Sequence, residues 1–97
     1  MSRTAIVTGG SRGIGYAIAQ KLLDEGYGVT VMHAHMNETI EKNLGALRAR
    51  GRVVSVQGDV ADTRDRRRCL EAALSAFSRV DVLVNNAGVG PEKRADL

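Results

Sequence analysis

From residue 4 to residue 84 the apolar pattern switches repeatedly between short β-branched runs and helical spacing, and this alternation constrains the fold more than any other feature. Thr4 to Thr8 is a buried-strand run closed by Gly9-Gly10. Ile14, Ile18 and Leu22, with Ala17 and Leu23 beside them, then recur at helical spacing as far as Gly26, which suits a helix C-terminus. A second strand covers Val29 to His33. Asn37 stands where a helix needs its N-cap, and Ile40, Leu44 and Leu47 give that helix one apolar face before it closes at Gly51. Val53 to Gln57 reads as the third strand. Asp62 or Thr63 then caps a third helix that turns Cys69, Leu70, Ala73, Leu74 and Phe77 inward, and Val80 to Val84 is the fourth strand.

Helices placed between near-continuous apolar strands require parallel pairing through right-handed crossovers. The expected fold is α/β, a doubly wound parallel sheet of four strands and three helices in one domain spanning residues 1–97. Its lateral order is third, second, first, fourth. The fourth strand is then an edge, although Val80, Val82, Leu83 and Val84 have the composition of an interior strand. A bare apolar edge invites pairing. The expectation is a sheet truncated relative to its full form, with the remaining strands outside this chain, or an edge that associates with a second copy or a partner chain. Residues 88–97, polar and holding the single proline, Pro91, read as loop.

Composition removes several alternatives. The chain has 97 residues, which leaves no room for a separate substrate domain, and its apolar runs are too short for a membrane span. Met1-Ser2-Arg3-Thr4 has no signal-peptide core, so a cytoplasmic protein is expected. The one cysteine, Cys69, excludes internal disulfides and thiolate zinc sites; at helical spacing with Ala73 and Phe77 it reads as a core residue. A net charge of +3 and three aromatic residues argue against nucleic-acid binding. Arg64, Arg66, Arg67 and Arg68, offset by Asp62, Asp65 and Glu71, read as a solvated helix face.

The chemistry is concentrated in Thr8-Gly9-Gly10-Ser11-Arg12-Gly13-Ile14-Gly15, between the first strand and the first helix. Glycines at 9, 13 and 15 allow a sharp turn, the approach of backbone to a diphosphate, and close packing of helix on strand. The free N–H groups of the first helical turn and the positive end of its dipole then face an anion. No Lys-Ser/Thr pair follows, which disfavours a nucleotide-hydrolysing P-loop. The bland alternative is a tight strand-to-helix connection.

This run resembles the cofactor loop of the short-chain dehydrogenase/reductase family. Gly58-Asp59-Val60 after the third strand and Asn85-Asn86-Ala87-Gly88 after the fourth match two further motifs of that family in the right order. The resemblance covers essentially the whole chain and is greatest to the 3-oxoacyl carrier-protein reductase-like branch. It implies a Rossmann-type sheet binding NAD or NADP. Gly9, Ser11, Arg12, Gly13, Ile14 and Gly15 would line the phosphates; Asp59 and Val60 would seat the adenine; Asn86, Ala87 and Gly88 would lie along the ribose and toward the nicotinamide. Asp59 as a turn cap and Asn86 as a turn residue are the structural alternatives, and both roles can coexist.

The end of the second strand decides between cofactors. A carboxylate there holds the ribose hydroxyls of NAD, whereas an NADP site avoids that charge and supplies a cation. This chain has His33, Ala34 and His35 there, no acid before Glu38, and Arg12 in the facing loop. NADP is therefore favoured, with NAD the alternative. A metal held by the two histidines alone is not expected.

Catalysis in the family uses a Tyr-x-x-x-Lys pair, in which the lysine lowers the tyrosine's pKa for proton transfer. Tyr16 is followed four residues later by Gln20 and Tyr27 by Val31, so neither fits. The expectation is an N-terminal cofactor-binding portion of an NADP-preferring reductase, with no catalytic residue among these 97. A stand-alone nucleotide-binding or assembly module and a gene remnant are the alternatives.

Overall fold

Two strands carry no residue with appreciable exposure, and the other elements are arranged around them. In the computed structural model, which describes residues 2–86, these are β1 (Thr4–Thr8) and β2 (Gly28–His33). Around them lie α1 (Gly13–Asp24), α2 (Glu38–Arg48), β3 (Val53–Gln57), α3 (Thr63–Phe77) and β4 (Val82–Asn85). The order is β3-β2-β1-β4 with every pairing parallel, which is the α/β arrangement expected from the alternation. The register sets Thr8 beside Met32 on one side and beside Asn85 on the other. The carboxyl ends of the three strands therefore finish level.

Alternate residues of each strand serve opposite faces. Val7, Val29 and Val31 pack beneath α1 and α2, against Ala19, Leu23, Ile40, Leu44 and Leu47. Ile6, Met32 and Val56 face the other way, against Cys69 and Ala73 of α3. Burial raises the pKa of the Cys69 thiol, consistent with a small core residue rather than a nucleophile.

The helices begin in two different ways. Asn37 Oδ1 accepts the N–H of Ile40 at 2.9 Å, and the Asp62 carboxylate accepts those of Arg64 and Asp65. Both are ordinary side-chain caps. Helix α1 instead has Arg12 at its N-cap, with no side-chain acceptor and no acidic residue in its first turn.

β4 is fastened to the start of β1. The Thr4 N–H donates to Asp81 Oδ2 at 2.8 Å, and the Asp81 N–H donates to the Thr4 carbonyl at 2.9 Å. Hydrogen bonds from Arg79, then from the Thr4 N–H, hold the Asp81 carboxyl below its usual value of 3.8. Because the folded value is the lower one, this fastening is complete above pH 4 and weakens as pH falls through the depressed value.

Two expectations are corrected. Leu70 and Leu74 do not turn inward; they are 44% and 43% exposed. The line of α3 that meets the sheet runs through Cys69 and Ala73, so the next residue in each turn lies about 100° further round, toward β4. Leu83 of β4 is 64% exposed on that flank, and Ile6, Cys69, Leu70 and Leu83 line a shared hollow. The fourth strand is also shorter and later than the predicted 80–84, and among the described residues it is an edge. No described helix is long and apolar enough to cross a membrane.

Thr30, in the middle of β2, is fully buried and its hydroxyl has no hydrogen-bond partner among the described residues. Replacing an unsatisfied hydroxyl with a methyl of similar shape removes a desolvation cost. Thr30→Val is expected to raise Tm by about 2–6 °C in a thermal melt, the size of effect that roughly 0.5–1 kcal/mol has on a domain this small. A lower Tm would show that the hydroxyl is satisfied.

Candidate functional site

Beyond the carboxyl ends of β1 and β2 is a cavity of about 490 Å³, lined by Gly9, Ser11, Arg12, Gly13, Ile14, His33, Ala34, His35, Ile40 and Asn86. Open α/β sheets hold ligands outside the carboxyl ends of their strands, at the point where strand order reverses. Here β1 is that point, with β2 on one side and β4 on the other.

The corner between β1 and α1 is built by its glycines. Gly9 and Gly13 adopt φ of 68° and 60°, a region that favours glycine. Gly15 meets a different demand. A Cβ on it would lie 2.2 Å from the Gly9 carbonyl oxygen and 2.7 Å from Asn86 Nδ2, so no other residue fits without moving the backbone. The Gly9 N–H donates to the Met32 carbonyl at 2.7 Å, carrying the parallel ladder one residue past β1. The chain then turns into α1, and the Tyr16 N–H is the first to find a carbonyl within the helix, that of Arg12.

The N–H groups of Gly13, Ile14 and Gly15 therefore precede the helical ladder, and no side chain caps them. Ile14 is 73% exposed at the cavity wall. An uncapped N-terminus on a cavity, at the positive end of a helix dipole, can receive an anion.

β4 contributes through Thr8. Its hydroxyl accepts the Asn86 N–H at 2.8 Å and lies 3.3 Å from the Val84 carbonyl. Asn86 is thus tied to β1 by its backbone, while its side chain abuts Gly15 and borders the cavity. The end of β2 contributes His33, 3% exposed, whose Nδ1 lies 2.9 Å from the His35 carbonyl. A carbonyl only accepts, so His33 Nδ1 is the donor of this pair. Among the described residues, Arg12, His33 and His35 are the titratable members of the lining, and no carboxylate lines it.

Of the residues predicted from sequence, the cavity brings together Gly9, Ser11, Arg12, Gly13, Ile14, His33 and Asn86, with Gly15 packed behind them. Asp59 and Val60 are not in its lining. Asp59 Oδ1 accepts the Ala61 N–H at 2.8 Å, the turn-capping role weighed for it, and Val60 borders the hollow beside α3. Ala87 and Gly88 lie outside the described residues. Ile40, read from sequence as core, is core and also wall; its apolar spacing signalled only the first. No group of three metal-ligating side chains occurs among the described residues.

Comparison with known proteins agrees with this geometry. The family described as short chain dehydrogenase matches residues 3–97. The 3-oxoacyl-[acyl-carrier-protein] reductase of Staphylococcus aureus is 41% identical over 90 residues, covering 92% of this chain and 37% of that protein. Among solved structures, the L-sorbose reductase of Gluconobacter frateurii, complexed with NADPH and L-sorbose, superposes with a TM-score of 0.83 at 33% identity, over 92% of this chain and 34% of its own. The 3-oxoacyl-[acyl-carrier protein] reductase of Brucella melitensis in complex with NAD gives a TM-score of 0.80 at 35% identity, over 93% and 35%. The chain belongs to the short-chain dehydrogenase family. It spans a little over a third of the length of the curated relatives it matches.

Two glycine substitutions separate the constraints. Gly15→Ala drives a Cβ into backbone and is expected to cost about 2–4 kcal/mol, as overpacking against an unyielding neighbour does. Gly13→Ala meets nothing within 4 Å and pays only for its positive φ, about 1–2 kcal/mol. Urea midpoints of the two variants check the order, and equal midpoints would contradict the close approach at Gly15.

Proposed function

We propose that this chain is the dinucleotide-binding portion of a short-chain reductase of the 3-oxoacyl carrier-protein type, with a preference for NADP. The observation that carries the proposal is the uncapped N-terminus of α1, opening on a cavity lined by Arg12, His33 and His35 and, among the described residues, by no carboxylate. The N–H groups of Gly13, Ile14 and Gly15 take the diphosphate. Arg12 takes the 2′-phosphate, with His33 and His35 on the other side. An aspartate or glutamate at the end of β2 would repel that phosphate and hold ribose hydroxyls instead. Glu38, the first acid after β2, is outside the cavity lining. Resemblance to the family assigns adenine contacts to Asp59 and Val60, which stand outside the cavity lining, and ribose contacts to Ala87 and Gly88.

When bound, the nicotinamide supplies a hydride to a carbonyl. This chain's residues bind and orient the dinucleotide; none of its tyrosines has lysine four residues on, so the proton donor is not among these 97 residues. Cofactor binding is the part of that reaction that this chain's own residues support. An assembly module is the alternative, favoured by one observation, the exposed Leu83 on the β4 edge, where a second copy or another chain would add a strand.

Titrating NADPH and NADH against the chain and against Arg12→Ala tests the proposal. The unaltered chain should favour NADPH by about tenfold, the worth of one charge-assisted hydrogen bond, and Arg12→Ala should lose most of that margin. Equal affinities in both proteins would remove the case for NADP, and no binding of either cofactor would remove the cofactor role.

A further inference from the structure

Asn43 sits within α2, on the same helical face as Ile40, Leu44 and Leu47, yet it is polar. Its Nδ2 donates to the Ser11 carbonyl at 2.9 Å, across 32 residues of chain. Ser11 is buried and is part of the cavity wall. We propose that Asn43 is a positioning residue for the phosphate loop, holding the Ser11–Arg12 peptide in the one orientation that suits a diphosphate. This rests on the cofactor reading above.

A trans peptide is planar, with its carbonyl and N–H on opposite edges. Fixing the Ser11 oxygen on Asn43 therefore fixes the Arg12 N–H on the other edge. That N–H donates to no acceptor among the described residues. A flip of the same peptide would exchange the two edges and set a carbonyl oxygen where a donor is wanted. Such a flip would turn ψ of Ser11 and φ of Arg12, carrying the Arg12 φ from −162° to a positive value that a non-glycine residue resists. Asn43 adds a second restraint from outside the loop. Because α2 follows β2, the same helix also brings Ile40 to the cavity wall, and Asn43 ties that wall to the phosphate side. An asparagine in a helix interior is a poor helix former, which is consistent with a residue retained for its hydrogen bond.

The diphosphate is common to both cofactors and to ADP, so the effect of Asn43 should be common as well. Titrations of ADP, NADH and NADPH against the whole chain are compared for Asn43→Leu and Asn43→Gln. Leucine matches the size of asparagine, forms helix better and cannot donate, so Asn43→Leu should keep or raise Tm while weakening all three ligands about tenfold and leaving the NADPH-to-NADH ratio unchanged. Asn43→Gln, which still donates, should recover at least half of the loss. The Arg12 amide signal should move in Asn43→Leu before any ligand is added. Affinities within twofold of the unaltered chain, a loss confined to NADPH, or no recovery with glutamine would each overturn the role of Asn43 while leaving the cofactor reading intact. Failure of the unaltered chain to bind any of the three ligands would overturn both.

Discussion

The close approach of α1 to the end of β1 is the constraint on which the rest of the structure depends. The Gly9 carbonyl occupies the place where any other residue at 15 would put its Cβ, and the Asn86 side chain fills the far side. The end of β1, the start of α1 and the sequence-distant Asn86 thus meet at Gly15. The meeting sets where the helix begins, and therefore where its unladdered N–H groups emerge. Were the helix even one side-chain thickness further away, Thr8 could not hold the Asn86 amide while Gly15 packed beneath it.

From that corner the electrostatics follow. The chain caps α2 with Asn37 and α3 with Asp62, yet places Arg12 at the head of α1, where a side chain of that kind accepts nothing. Of the three described helices only α1 begins without a side-chain cap, and an open helix end can receive an acceptor. The surrounding side chains are basic or neutral, so the acceptor that fits is an anion. Rigidity comes from elsewhere: β1 and β2 are buried on both faces, and α2 reaches back to the loop through Asn43. A loop rich in glycine can thereby be both sterically open and held in one conformation.

Much of this was legible in the sequence because each element carries one clear period. β1 and β3 begin and end at the predicted residues, and Asn37 caps as its position implied. Parallel order followed from alternation alone. Leu70 and Leu74 were misassigned because helical spacing reports an apolar face but not the width of the sheet beneath it; β4 ends the sheet beside them among the described residues. Asn43 was missed although a signal existed. It completes an i, i+3, i+4, i+7 set with Ile40, Leu44 and Leu47, and a polar residue on such a face needs a partner. Which partner depends on a loop 32 residues earlier, and spacing does not carry that information. Family resemblance assigns Asp59 and Val60 to the adenine; in the structure the Asp59 N–H donates to the Asp65 carboxylate of α3, and Val60 borders the hollow beside that helix.

The central claim is that backbone amides at the head of α1 receive a diphosphate. Amide-resolved NMR of the chain during titration with ADP measures this at the atoms concerned. The account predicts that the largest shifts, saturating with ligand, fall on Gly13, Ile14 and Gly15, with the capped starts of α2 and α3 little changed. Saturating shifts centred on another part of the sheet, with these three amides unmoved, would contradict it.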